Sequence, residues 1–265
     1  MKLALAQFEV ARANPAENLV RIGERATTAS AAGVDLLCLP EMCTTGFDWS
    51  YNREHLAAAS KIIDAVATIA RSHSLAICGS FLEQTESGNA ANCFCYFDAN
   101  GVLLASYRKL HLFTLFREEQ HVEAGNECIT VATDFGTIAA AICYDLRFPE
   151  LFRRNTASGA FMHILPAAFP HPRLDHWRTL VRARAIENQT YFVAVNQCGL
   201  EGHHGSVDKT QYFGHSMVVD PWGEIVLEAD ENESLLDIEI DPRSVDQVRS
   251  KLSAWDDRRE DLFRI

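Results

Sequence analysis

The sequence predicts an α/β fold in which mixed β-sheets are covered by helices. Three observations carry this. Short apolar runs alternate with longer stretches of helical periodicity, turn chemistry of hairpin type joins two of the runs, and the last third of the chain is rich in strand-like segments. The 265 residues hold no Pro/Ser-rich linker, low-complexity tract or solenoid repeat, so one continuous domain over 1–265 is expected.

The elements follow in order. KLALAQF (2–8) has the pattern of a buried strand. A helical pattern begins at Pro15 and runs to Ala32, with Leu19, Ile22 and Ala26 on one face and Gly33 placed to stop it. DLLCLP (35–40) is a strand ended by proline. A second helix is predicted over 54–71, with Leu56, Ile63, Val66 and Ile69 directed to the core. LAICGSFLE (75–83), CFCYFD (93–98) and GVLLASY (101–107) are strands, and Asp98-Ala99-Asn100-Gly101 is a hairpin turn between the last two. The stretch 110–127 is polar and irregular. GTIAAAIC (136–143) restores a buried strand, and the segment after Pro149 is helical. FMHILPA (161–167), a helix near 174–188 and YFVAVNQ (191–197) repeat the strand–helix–strand rhythm. GHSMVVD, a Pro221-Trp222-Gly223 turn, EIVLEAD and SLLDIEI follow, with Trp222 expected to pack against the sheet.

Composition narrows the class. A 48% hydrophobic, 23% charged chain is ordinary for a globular protein. A formal net charge of -12 argues against nucleic acid or anionic lipid as a partner. It leaves room for an anionic substrate, because one or two local arginines can hold a carboxylate. The apolar start of the chain is interrupted by Glu9 and Arg12, unlike a signal peptide, and no run approaches the roughly 20 residues that span a bilayer. A cytoplasmic location is therefore expected. With no export signal, the eight cysteines do not suggest a disulfide scaffold; Cys38, Cys78, Cys93 and Cys95 sit in strand-like runs as small core hydrophobes. No Cys/His cluster has zinc spacing, and His203, His204 and His215 lie in a Gly-rich, loop-like context, so no metal is expected.

Three polar residues stand directly after apolar runs: Glu41 after LLCLP, Lys109 after VLLASYR, and Cys143 at the end of TIAAAI. Ligands gather beyond the carboxyl ends of strands in open α/β sheets. Each residue alone also fits a plainer reading, as a solvated turn glutamate, a surface lysine and a core cysteine. Together they compose a reaction. A thiol attacks a carbonyl once a base takes its proton, a carboxylate in an apolar pocket has its pKa raised toward neutrality, and a lysine can stabilise the developing oxyanion. The backbone N–H of Tyr144 is placed to help. A papain-type pairing of Cys143 with His176 is the competing arrangement, although the surroundings of Cys143 lack that family's motif and His176 falls in a predicted helix.

LPEMCTTGF around Glu41, YRKLHLF around Lys109 and CYDLRFPE from Cys143 resemble, in order and separation, the three signature blocks of the nitrilase, or carbon–nitrogen hydrolase, superfamily. The resemblance extends from ALAQF to the RREDLF ending. It implies a four-layer α-β-β-α sandwich with two mixed sheets, assembly into a homodimer or higher homo-oligomer, and no cofactor. It also implies roles: Cys143 as nucleophile, Glu41 as general base and acid, Lys109 as stabiliser of the tetrahedral intermediate. A further glutamate before the nucleophile strand falls in REEQHVEAG, where register from Gly125 favours Glu118 over Glu119 as a residue orienting Lys109.

CYDLRFPE, DHWRTLVRARAIENQTYFVAVNQ and GHSMVVDPWGE resemble the ω-amidase and Nit-type amidase branch. That branch implies hydrolysis of small dicarboxylate monoamides such as α-ketoglutaramate or succinamate, with ammonia released. Arg147 is the candidate for the substrate's distal carboxylate, because a guanidinium grips a carboxylate through two parallel hydrogen bonds; the alternative is a structural pairing with Asp145 or Glu150. NQCGLEGHHGS (196–206) resembles the corresponding loop of deaminated glutathione amidases. A neutral aliphatic amidase or nitrilase, and an inactive relative serving as a binding subunit, are the remaining readings.

Overall fold

The computed structural model describes residues 1–201, 210–259 and 261–262, so His203 and His204 lie outside the described residues. The first strand, β1 (Lys2–Gln7), leads into α1 (Pro15–Ala31). Pro15 in the first turn and the Asn14 side chain, which accepts the Glu17 N–H, fix where the helix starts. β2 (Leu36–Cys38) is followed by α2 (Trp49–Glu54) and α3 (Ala59–His73). The helix predicted over 54–71 is α3, which starts five residues later because a 3-10 turn at Leu56–Ala58 precedes it. The two segments serve different cores. Leu56, like Trp49 of α2, packs with Met42 and Leu82, whereas Val66 and Ala70 of α3 pack on the sheet.

β3 (Ala76–Gln84), β4 (Ala90–Phe97) and β5 (Leu103–Arg108) form an antiparallel meander. Asp98 makes its second turn by accepting the N–H groups of Asn100 and Val102. β6 (Thr130–Thr133), which the sequence reading missed, pairs with β7 (Gly136–Ala140). The strand predicted to run to Cys143 thus ends at Ala140. Beyond it, Asp145 captures the Ile142 N–H and the chain turns at Cys143.

α4 (Pro149–Ala157), β8 (Met162–Ala167), α5 (Leu174–Asn188) and β9 (Tyr191–Asn196) follow the predicted rhythm. β10 (Cys198–Glu201) and β11 (Thr210–Phe213) form a small two-stranded sheet, and β12 (Met217–Val219), β13 (Ile225–Glu228), β14 (Ser234–Glu239) and α6 (Ser244–Lys251) complete the chain. β10, β11 and α6 are too short or too polar to register as periodic runs. Trp222 departs from expectation: it is 50% exposed, and the turn it occupies is held by Asp220, which accepts the N–H groups of Trp222 and Glu224.

The two six-stranded sheets run β14-β1-β2-β3-β4-β5 and β13-β12-β9-β8-β7-β6. Each is mixed, with three parallel strands (β1–β3 and β7–β9) flanked by antiparallel ones. Alternation along β1 shows the layering. Leu3 and Leu5 pack toward the second sheet with Ile138, Ile164 and Val193, while Ala4 and Ala6 pack toward Ile22 and Ala26 of α1 and Val66 of α3. On the second sheet, His163 and Phe192 meet Phe152 of α4. The order is helices, sheet, sheet, helices. Cys38, Cys78, Cys93 and Cys95 are buried, all eight cysteines are free, and no helix among the described residues is long and apolar enough to cross a membrane.

Candidate active site

The carboxyl ends of β2, β5, β7 and β8 converge, and the loops leaving them carry the polar side chains. Glu41, just past β2, is 1% exposed, and its backbone carbonyl accepts Gln197 Nε2 at 2.9 Å. Its carboxylate is fully engaged. Oε1 accepts Asn92 Nδ2 at 2.8 Å and Lys109 Nζ at 2.9 Å, and Oε2 accepts the Ala168 N–H at 2.9 Å.

Lys109, just past β5, is held by backbone bonds on both sides: its N–H donates to the Asn92 carbonyl and its own carbonyl accepts the Gly125 N–H, each at 2.9 Å. Gly125 must be glycine here, because a Cβ would stand 2.3 Å from the Arg108 carbonyl oxygen. The Lys109 ammonium also donates to Glu118, at 3.0 Å to Oε1 and 2.8 Å to Oε2. Glu118 is buried and accepts the Phe113 N–H at 2.7 Å, whereas Glu119 is exposed.

Cys143 has a positive φ of 45°, a conformation that costs a non-glycine residue about 1–3 kcal/mol and persists only where its surroundings enforce it. Asp145 does the enforcing. Its Oδ2 accepts the Ile142 N–H at 2.9 Å and the Tyr107 hydroxyl at 2.7 Å, and its Oδ1 accepts the His111 N–H at 3.0 Å. The thiol then faces Glu41, Lys109 and the Ala168 N–H. Tyr144 N–H lies in the first turn of the 3-10 segment, where backbone donors have no intrahelical partner.

The electrostatics follow from enclosure. Burial raises the Glu41 carboxyl above its ordinary value, against the pull of Lys109 and with a push from Glu118. Burial also drives the Cys143 thiol well up, and Glu41 adds to it. Burial alone would depress Lys109, but Glu118, Glu41 and Cys143 together hold its ammonium well above the usual range. A thiol that stays protonated beside a carboxylate able to take a proton suits attack with concerted transfer rather than a preformed thiolate.

Two residues of this cluster escaped the sequence reading. Asn92 is fully buried and bridges Glu41 and Glu118, donating to the latter at 3.3 Å, and Ser80 fixes its amide by donating to Asn92 Oδ1 at 2.7 Å. Its only sequence signal is a lone Asn heading an apolar strand. Asp145, two residues past Cys143, offers the sequence only an ion-pair partner for Arg147.

Arg147 has no carboxylate partner among the described residues. It lines a cleft beside Cys143, its guanidinium 5.5 Å from the Phe169 ring centroid and 5.9 Å from that of Tyr144. His176, exposed on α5, meets Arg147 Nη2 at 3.4 Å rather than the thiol. His215 pairs with Glu228 at 3.0 Å, and among the described residues no group of three or more His, Cys, Asp or Glu is arranged to hold a metal. A cavity of about 200 Å³ is lined by Cys143, Glu41, Lys109 and Glu118 together with Phe47, Trp49, Phe113 and Phe116.

Comparison with known proteins agrees with this architecture. Residues 2–250 match the carbon-nitrogen hydrolase family. The 2-oxoglutaramate amidase of Bacillus subtilis is 34% identical over 259 residues, covering 97% of this chain and 97% of its own. A deaminated glutathione amidase of Synechocystis is likewise 34% identical, over 270 residues and 97% of each chain. Among solved structures, Nit3 of Saccharomyces cerevisiae, a member of the nitrilase superfamily, superposes with a TM-score of 0.88 at 28% identity, covering 98% of this chain and 96% of that one. The two facing mixed sheets, the loops that meet at their carboxyl ends and the match over residues 2–250 together place this chain in the carbon–nitrogen hydrolase family of the nitrilase superfamily.

Proposed function

We propose that the protein is an amidase that hydrolyses the terminal amide of small dicarboxylate monoamides, of the α-ketoglutaramate or succinamate kind, to acid and ammonia through a thioester on Cys143. The observation that carries this reading is the buried Lys109 ammonium clasped between Glu41 and Glu118 beside the Cys143 thiol. The Cys143 sulfur attacks the amide carbonyl carbon while its proton passes to Glu41. Lys109 Nζ and the Tyr144 N–H receive the negative charge that develops on the carbonyl oxygen. Glu41 returns the proton to the departing nitrogen, ammonia leaves, and the acyl group remains on sulfur. Glu41 then takes a proton from water, whose oxygen attacks the thioester; the carbon–sulfur bond breaks, the carboxylic acid departs, and Glu41 returns its proton to the sulfur to restore the thiol. Glu118 orients Lys109. Arg147 holds the distal carboxylate, a role supported by its place beside Cys143 without a carboxylate partner among the described residues.

The same reading carries an enzyme that needs no cofactor and works in the cytoplasm, a compartment that the eight free cysteines support. It also carries a homodimer or higher homo-oligomer. Ile186 and Trp222, exposed large apolar residues next to the Gly223 turn, support such contact, and light scattering in solution tests it.

The test is ammonia release from α-ketoglutaramate, succinamate, deaminated glutathione, a neutral aliphatic amide and a nitrile, with wild type and Cys143→Ala. Turnover of the dicarboxylate monoamides that vanishes in the variant is the expected result. Turnover confined to deaminated glutathione keeps the chemistry and replaces the substrate. Turnover unaffected by Cys143→Ala overturns the proposal.

A further inference from the structure

The loop after β8 brings a second arginine to the cleft beside the thiol. Arg173, at the start of α5, lines that cleft together with Arg147 and Cys143. Its guanidinium stands 5.8 Å from the centroid of the Phe113 ring, much as that of Arg147 stands over Phe169. Among the described residues it has no carboxylate partner either; its Nη1 reaches the His171 carbonyl at 3.4 Å. In a chain of net charge -12, two guanidiniums left without counter-ions in one cleft are conspicuous. Aromatic faces hold a guanidinium by its plane and leave its N–H edge free for an anion.

The loop is anchored at several points. Ala168 N–H, at its head, donates to Glu41 Oε2. Phe169 N–H donates to Asn196 Oδ1 at 2.6 Å, while its carbonyl accepts Asn196 Nδ2 at 3.1 Å. His171 N–H donates to the Gln211 carbonyl on β11 at 3.0 Å. One rigid loop therefore contacts the base at one end and carries the cation at the other.

We propose that Arg173 is a specificity-determining residue that shares with Arg147 the anionic end of the acyl group. The two form a two-guanidinium seat for a carboxylate on the substrate or on the product acid. This inference rests on the reading above of a carboxylate-bearing amide, and its test is chosen to stand apart from turnover.

Binding is measured by calorimetry in Cys143→Ala protein, with glutaramate as the anionic ligand and butyramide as the neutral one. Loss of a charge-assisted bidentate contact should weaken glutaramate by about 10- to 100-fold in the added Arg173→Gln variant, with butyramide changed by less than about twofold. Arg173→Lys, which keeps the charge but not the fork, should recover part of the loss. Glutaramate affinity untouched by Arg173→Gln overturns the proposal, as do equal losses for both ligands or glutaramate bound no better than butyramide in Cys143→Ala protein. Arg173-dependent glutaramate binding, with no ammonia from glutaramate in the intact enzyme, leaves the seat standing and removes the proposed reaction.

Discussion

Lys109 Nζ meets both carboxylate oxygens of Glu118, at 3.0 and 2.8 Å, in a place where the two side chains are almost wholly out of water. Glu41 closes the other side at 2.9 Å, so one cation stands between two carboxylates. Such a cluster tolerates the loss of its cation poorly, because two like charges are then buried side by side. Lys109→Met should lower the unfolding free energy by about 3–5 kcal/mol and abolish turnover. Urea denaturation checks the first effect; a loss below about 1 kcal/mol would mean that the carboxylates relax into water.

The Cys143 thiol and the Glu41 carboxylate make a pH prediction. Because the Cys143 thiol is held well up and Glu41 above its ordinary 4.5, alkylation by iodoacetamide should follow ionisation of Glu41 rather than of the sulfur. The rate should fall on the acid side as Glu41 takes up a proton, at a pH above 4.5, and should be level through neutrality. Glu41→Gln should cut the neutral rate by about 100-fold or more, leaving a rise only at alkaline pH. Peptide mapping of labelled Cys143 against pH would show it, and an unchanged profile in the variant would refute the assignment.

Glu118→Gln retains much of the shape while removing the charge that helps raise Glu41. The acid limb of kcat/KM should move to lower pH. The rate should drop by about 10- to 1000-fold as Lys109 loses one of its two anchors. A limb that stays in place, or moves upward, would show that Glu118 does not act on Glu41 through its charge.

Stability should fall in alkali. The thiols of Cys43 and Cys78 are held well above their ordinary 9.0, chiefly by burial, and that of Cys93 chiefly by its hydrogen bond with Cys95. Folded-state values above the unfolded ones mean that the folded chain keeps protons the unfolded chain releases. This contribution is complete below about pH 9 and is lost as the pH rises, by about 1.4 kcal/mol per thiol for each unit. Lys109, also raised, acts in the same direction at higher pH. Urea midpoints at pH 8, 9 and 10 under reducing conditions measure the slope; constant midpoints would contradict it.

Much of this was legible in the sequence because strands end where apolar runs end. Glu41, Lys109 and Cys143 each interrupt such a run, and the structure brings their side chains together. Glu118 could be separated from Glu119 only by counting from Gly125. Asn92 was hidden because a polar residue at the head of NCFCYF has the look of a strand boundary, and its two carboxylate partners are far away in sequence. Asp145 was hidden by its neighbour, since sequence shows an adjacent Arg147 but not the Ile142 N–H or the Tyr107 hydroxyl. Periodicity started α3 five residues early, at 54, because it cannot tell that Leu56 and Val66 belong to different cores. Arg173 gave no signal in a polar loop whose path only the folded chain defines.

The division of the site between the sheets has a bearing on the cell's handling of a reactive sulfur. Glu41 and Lys109 leave the first sheet, while Cys143 and Ala168 leave the second, so carboxylate and thiol become neighbours only when the two halves are pressed face to face. A nascent or half-folded chain carries the same cysteine but no proton acceptor beside it. Its sulfur is then an ordinary thiol, mostly protonated at neutral pH, and slow toward electrophiles. The pairing that would let Glu41 take the sulfur's proton is thus a product of sheet-on-sheet assembly, and neither half of the chain holds it alone.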